Sequence, residues 1–230
     1  NKSKSKIDVS AINSAHHLSF AGAAGFIVQG GNPGGTTVGV SGSVAVNLID
    51  NETTATLRNS NIYDAKQINS TALNGGDSIA SALGLSAIIK SQDTENAGSG
   101  AVNTSVNLID NTVTSKLDNT NAKASNTSNK ASMVVTAYER DNQITGGISG
   151  AVGKQKGAVG ASVDVSKIDN TLTAEVSNGL YQNMQNVEVN ALQATTIVNA
   201  GVALSVPKAY EEIQTFSGAG AGVYSELKNT

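Results

Sequence analysis

The stretch Gly42-Ser-Val-Ala-Val-Asn-Leu-Ile-Asp-Asn51 decides the reading of this chain, because VNLIDN (Val46–Asn51) is written again from Val106 to Asn111. A third copy reads Val165-Ser-Lys-Ile-Asp-Asn170. A fainter fourth, Ser225-Glu-Leu-Lys-Asn-Thr230, puts Asn229 in the register of Asn51, Asn111 and Asn170, at spacings of 60, 59 and 59 residues. A fixed period of this length marks a repeat architecture, in which each unit buries its apolar face against the next. The 230 residues then form one continuous array, with units at about 1–41 (partial), 42–101, 102–160, 161–219 and 220–230 (partial). The chain starts at Asn1 and stops inside a unit, and is expected to be a piece of a longer array.

Working outward from the motif, the residues after each asparagine alternate. The second, fourth and sixth positions hold Thr53/Val113/Leu172, Ala55/Ser115/Ala174 and Leu57/Leu117/Val176, with Glu, Thr and Lys between them. Period-two alternation marks a strand with one face in and one face out. Before the asparagine, Val46, Val106 and Val165 look like inward positions. The next site in that phase, however, is Leu48, Leu108 and then Lys167, and a core would not take an unpaired lysine. The position that stays apolar is Ile49, Ile109, Ile168 and Leu227, which predicts a phase slip there. The pairs Asp50-Asn51, Asp110-Asn111 and Asp169-Asn170 are then expected to be structural corners, as Asx residues suit turns.

Four strand-like runs per unit follow: the motif strand and its continuation, then Ile7–Ile12, Ile68–Leu73, Val134–Tyr138 or Val187–Leu192, then Phe20–Val28, Ile79–Ile89, Ile144–Val152 or Ile197–Val206. Turns are expected at Asn59-Ser-Asn61, Asn74-Gly-Gly-Asp77, Asn119-Thr-Asn121 and Asn178-Gly179. No run reads as an amphipathic helix. The expected fold is all-β, a right-handed parallel β-helix with about three coils of roughly 20 residues per repeat, a rod of about eleven coils and 50 Å. Aromatics are 3% of the chain, and an apolar fraction of 39% rests on Ala, Val, Ile and Leu, which suit a narrow pleated interior.

The repeated motif VAVN-x-IDN-x-T-x-A-x-(L/V), over Val44–Leu57, Ser105–Leu117 and Ser162–Val176, together with Gly/Ala-rich segments such as Gly157–Val163, resembles large repetitive bacterial exoproteins. These are the filamentous-haemagglutinin-like and leukotoxin-type adhesins exported by two-partner or autotransporter routes. The resemblance covers nearly the whole chain from Ile7. It implies a β-helix that is secreted or on the bacterial outer surface and serves adhesion, virulence or host-cell contact; the amino-terminal secretion domain of such proteins is not recognisable here.

Function classes separate on composition and spacing. A net charge of −3 with 14% charged residues supplies no basic field, so nucleic acid is not an expected partner. No apolar run is long enough for a transmembrane helix, and no signal peptide is seen. Absence of cysteine excludes disulfides and thiolate metal sites. No cofactor or metal is expected: at three coils apart, Asp50, Asp110 and Asp169 would sit about 14 Å from one another. His16 and His17 point to opposite faces of a strand and cannot chelate together. No catalytic residue is assigned and the chain is not expected to be an enzyme. The alternative of a polysaccharide lyase or glycosidase on a β-helix would need paired carboxylates, and here the acids look scattered. Thr54, Thr114 and Thr173 share an outward position, but at three-coil intervals they form no continuous lattice for ice. Gly218–Gly222 reads as tight strand packing.

The candidate interaction loops lie between the Gly/Ala-rich run and the repeated strand. They carry Asn32 and Pro33, then Asp93 and Glu95, then Lys154 and Lys156, then Tyr210, Glu211, Glu212 and Phe216. Their shared register predicts that they emerge on one side, where loops on a rigid scaffold carry binding. The expected function is a structural and adhesive segment touching a host-cell surface protein or glycan. Self-association through open β-helix ends is possible on edge chemistry. The alternative is a passive stalk whose binding tip lies elsewhere.

Overall fold

The computed structural model describes residues 5–29, 36–90, 96–124, 130–153, 157–207 and 216–230, and every regular element among them is a strand. The first unit supplies β1 (Lys6–Gln29), β2 (Thr36–Arg58) and β3 (Asn61–Tyr63). The second supplies β4 (Gln67–Lys90), β5 (Asn96–Asp118) and β6 (Asn121–Lys123), and the third β7 (Ala131–Gly153), β8 (Gly157–Ser177) and β9 (Tyr181–Gln182). In the last, β10 (Met184–Gln193) and β11 (Thr196–Pro207) share the place of one long strand and β12 (Phe216–Asn229) follows.

Like strands stack on like, all in parallel. One sheet runs β1-β4-β7 and then β10 with β11; the second runs β2-β5-β8-β12; a small third runs β3-β6-β9. Asn51, Asn111, Asn170 and Asn229 are direct ladder partners. The expectation of three coils per repeat is therefore corrected. One unit of about 60 residues visits each sheet once, so sequence period and structural period are the same, and there are four layers instead of eleven. The result is a slab, with strands of up to 24 residues or about 80 Å and roughly 14 Å from first layer to last.

The reason is that several expected breaks do not break the strands. Inward positions in β2 are the odd ones without interruption from Gly39 to Ala55, so there is no phase slip. Ile49 is 9% exposed and Leu48 71%, as the motif required, but Val46 also faces outward. Asp50-Asn51, Asp110-Asn111 and Asp169-Asn170 are not corners. They lie mid-strand, aspartate out and asparagine in, because the inward amides bond to one another instead of to a turn. Asn74-Gly-Gly-Asp77 likewise runs within β4.

The real corners are asparagines in the left-handed region, at Asn59 (φ 52°), Asn119 (φ 47°) and Asn178 (φ 53°), which this residue tolerates better than most. Their amides also stack, Asn119 Nδ2 donating to Asn59 Oδ1 at 2.7 Å. These corners define the proximal end of the slab, next to β3-β6-β9. There the interior is apolar: Ile62, Ile68, Leu117, Met133 and Val135 form one cluster, and Ala55, Ala72, Val113 and Ala137 the next. Toward the distal end, where β1 leads to β2 and β4 to β5, the interior changes to small residues, polar Ser43, Asn103, Ser105, Ser162 and Asp164 and then Ala101, Ala151 and Ala158, with Ile88 buried at the same end.

Candidate functional site

Nearly all of the loop residues singled out by register, Asn32, Pro33, Asp93, Glu95, Lys154, Lys156, Tyr210, Glu211 and Glu212, lie outside the described residues. The strand ends that flank them do not. Gln29 pairs with Lys90, Thr36 with Asn96, and Gly157 with both Gly98 and Phe216. The four connections therefore start and finish at one edge, the distal one. Phe216 itself is the first residue of β12 and is exposed. Gly220 and Gly222, two glycines of the segment expected to pack tightly, have no neighbour within 4 Å of a would-be Cβ and lie in the open outer layer.

Mid-slab, on the outer face of the β1-β4-β7 sheet, an open groove of about 380 Å³ is lined by Ser14, His16, Leu73, Gly75, Asp77, Tyr138, Arg140 and Asn142. Gly75 makes it. It stands in a column between Ser14 and Arg140 and along its strand between Leu73 and Asp77, so one missing side chain opens a notch. A Cβ there would come within 3.1 Å of the Arg140 carbonyl. His16 Nδ1 lies 3.0 Å from Asp77 Oδ2, and Asn142 Nδ2 donates to Asp77 Oδ1 at 2.9 Å. His16 and His17 part to opposite faces, His16 into this groove and His17 toward the interior beside Asn51 and Asn74. Guanidinium, imidazole, phenol and carboxylate around a glycine floor offer donors and acceptors to a polar ligand such as a sugar.

Behind the groove, inside the slab, is a polar layer that sequence reasoning missed. Asn51 Nδ2 donates to Asn111 Oδ1 at 3.0 Å and Asn111 Nδ2 to Asn170 Oδ1 at 3.1 Å. From the facing sheet, Glu139 accepts from Asn111 Nδ2 at 3.0 Å and from Asn74 Nδ2 at 3.1 Å, and Asp141 accepts from Asn111. Burial, the hydrogen bond with Asp141 and then the Asp141 charge push the Glu139 carboxyl up to about 9. It is therefore protonated at neutral pH and can hydrogen-bond Asp141. None of the ion pairs among the described residues involves this pair. The signal was available: Met133, Val135, Ala137, Glu139, Asp141 and Gln143 share one phase, so an inward strand carried two acids.

On the opposite outer face, Asp50, Asp110 and Asp169 form a column with Lys228, whose Nζ lies 3.1 Å from Asp169 Oδ2. These aspartates are adjacent layer to layer, about 4.8 Å apart and not the expected 14 Å. Among the described residues no group of three or more His, Cys, Asp or Glu is arranged to hold a metal ion. Thr54, Thr114 and Thr173 are likewise direct neighbours, correcting the wide spacing expected of them. No helix among the described residues is long and apolar enough to cross a membrane. No known protein family, curated protein or solved structure matches the chain.

Proposed function

We propose that this chain is a right-handed parallel β-helical segment, one 60-residue unit per coil, of a secreted or surface-exposed bacterial exoprotein of the adhesin kind. The hand follows from the preference of parallel crossovers. Its work is structural and adhesive: it holds variable connections at one edge and repeats them at every coil, so that weak contacts with a host-cell protein or glycan add up through multivalency. The observation that carries this reading is the alignment of the strand ends flanking 30–35, 91–95, 154–156 and 208–215 at one edge. Variable chemistry on a regular scaffold is how repeat surfaces bind.

The test exchanges those four segments for Gly-Ser linkers of equal length and measures attachment of the protein to host cells and to glycan arrays. Loss of attachment with unchanged circular dichroism supports binding through the connections; full retention removes it and leaves a stalk. A parallel arm substitutes Tyr138→Ala and Arg140→Ala in the mid-slab groove. Release of reducing or unsaturated sugar ends from polysaccharides would replace the adhesive reading with an enzymatic one.

A further inference from the structure

The distal half of the slab is built inside out. Between its sheets the backbones come close over most of the length, and the apolar residues that fit there are nearly all alanines, with Ile88 the large exception. Ser43 Oγ donates across to the Leu83 carbonyl at 2.9 Å, Ser86 Oγ to the Gly39 carbonyl at 3.1 Å and Asn47 Nδ2 to the Ile79 carbonyl at 2.9 Å. A Cβ on Gly25 would lie 3.1 Å from the Val40 carbonyl on the facing sheet. The interior is thus mostly one small side chain deep, serine, asparagine, glycine or alanine, and most of the large aliphatic residues of the same strands are left on the outside.

They are not spread evenly. On the β1-β4-β7-β11 sheet, five outward positions on each of four strands, from the Leu18 column to the Phe26 column, carry no charge, and the one hydroxyl is Ser81. Leu18, Phe20 and Phe26 are 63%, 70% and 63% exposed. On the opposite sheet the corresponding face is thinned by glycines at 42, 98, 100, 157, 218, 220 and 222 and interrupted by Thr104, Lys167 and Glu226.

We infer that the uncharged distal face of the β1-β4-β7-β11 sheet docks a second copy of this chain, same face to same face, in a closed two-fold dimer. Three observations choose that occupant. The patch measures about 33 Å along the strands and about 19 Å across, roughly 600 Å² in plan. Its corrugated accessible area is larger, near the roughly 800 Å² per partner of a standard interface, and well beyond what a monomer commonly exposes without a role. The face is flat and regular at about 4.8 Å by two residues, a relief matched by another parallel ladder of the same pitch, and it has its own slot: nothing lies within 4 Å of a Cβ at Gly22, between Phe20 and Phe26. A hydrocarbon phase is the poorer occupant, since the row of His16, Asp77 and Asn142, with Arg140 beside it, lies on the same flat face and would have to be buried with the patch. The polar row of His16, Asp77 and Asn142 borders the patch and would fall at the rim of the dimer.

Sedimentation velocity of the 230-residue chain from nanomolar to tens of micromolar tests this. The expected result is a monomer–dimer equilibrium that the pair Leu83→Lys and Ile148→Lys weakens by roughly a hundredfold or more. The pair Val159→Lys and Val163→Lys on the opposite sheet should leave it unchanged, with circular dichroism the same in all three proteins. Hydrogen exchange on the unsubstituted chain gives an answer that depends on no variant: protection of residues 79–87 and 144–152 should rise with concentration while that of 131–137 stays constant. A chain monomeric throughout, a series that grows past dimer, loss caused by the opposite-sheet pair, or flotation with phosphatidylcholine vesicles in place of dimer formation would each overturn the assignment.

Discussion

The two ends of one strand pair behave as different materials. At the proximal end, β4 places Ile68 inward against Leu117 and Met133, and the outer face of β1 carries Asp8, Ser10 and Ser14 with a single exposed aliphatic, Ile12, close to the ordinary arrangement of a folded domain. Past the Asn51–Glu139 layer the same strands invert, with Gly84, Ser86 and Gly147 inside and Leu83, Leu85 and Ile148 outside. Alternation is unbroken across the change; what reverses is the size of the residue in each phase. The comparison teaches that in this fold hydrogen bonding between layers sets the architecture everywhere, while burial of large apolar side chains is concentrated toward the proximal end and thins to alanine and Ile88 at the distal one.

The most direct way to break that comparison is to remove apolar volume from each end. Leu117→Ala opens a cavity beside the buried Ile62, Ile68, Met133 and Val135, and should lower unfolding free energy by about 2–5 kcal/mol. Leu85→Ala on the distal outside removes the same atoms from a side chain that is 41% exposed, and should cost less than about 1 kcal/mol at concentrations where the chain is monomeric. Denaturant unfolding of both variants reads the difference. Equal losses would mean that outward aliphatic residues of the distal half contribute as much as the buried proximal cluster.

How much of this was legible in the sequence depends on which half is considered. The repeated motif marked the residues that align in the β2-β5-β8-β12 ladder, though not the β4-β7 or β7-β11 offsets; Ile49, Ile109 and Ile168 were correctly turned inward and Lys167 outward, and the asparagine corners at 59, 119 and 178 were in place. What misled was the distal half of the motif strand. Val44 and Val46 are apolar, and apolar residues are ordinarily assigned to the inside; that assumption forced a phase slip at Leu48-Ile49, and the slip demanded a corner at Asp50-Asn51. An inside-out segment cannot be told from a normal one by periodicity, which gives the phase of alternation but not its sign. The coil length went wrong separately, since a generic turn length was placed above the period written in the chain. The Glu139–Asp141 pair stayed hidden for a related reason: acids are rarely inside unless partnered, and the partners Asn74 and Asn111 are 65 and 28 residues away.

The layer where the inversion happens should show in pH dependence. Glu139 titrates near 9 when folded and near 4.5 when unfolded, so below about 4.5 both states hold the proton and stability is at its full value. As pH rises the unfolded chain ionises first, and stability falls progressively until the folded carboxyl also ionises near 9. The whole effect should be on the order of 2–4 kcal/mol once relaxation around the buried pair is allowed for. Glu139→Gln keeps a donor toward Asp141 and removes the titration. It should flatten the stability–pH curve and raise stability near pH 8, measured by urea unfolding at half-unit steps. A wild-type curve that rises with pH over this range would contradict the buried, protonated carboxyl.

A smaller effect separates glycines that the inverted half needs from those it does not. A Cβ on Gly147 would run into Ser162 Oγ and Asp164, both held inside, so Gly147→Ala should cost about 1–3 kcal/mol through forced separation of the sheets. Gly220→Ala meets nothing within 4 Å and should be neutral, or slightly stabilising through the unfolded state. Thermal unfolding of the two single variants side by side decides it: a neutral Gly147→Ala would show that the distal interior has room to spare and that its small residues are not what turns the aliphatic ones outward.

The smallest effect belongs to the proximal corners, where conformation and hydrogen bonding can be told apart. Asn119 combines a φ of 47° with an amide donating to Asn59 Oδ1 at 2.7 Å. Asn119→Gly keeps the left-handed backbone at no steric cost and loses only the exposed side-chain bond, so it should change stability by a few tenths of a kcal/mol. Asn119→Ala loses the bond and must also hold a Cβ in the disfavoured region, costing about 1 kcal/mol. If the two substitutions cost the same, the stacked amides carry the corner and the backbone preference is incidental. If alanine alone is costly, the chain reverses there because asparagine accepts a conformation that most residues avoid, which Asp50-Asn51 in the middle of β2 is never asked to adopt.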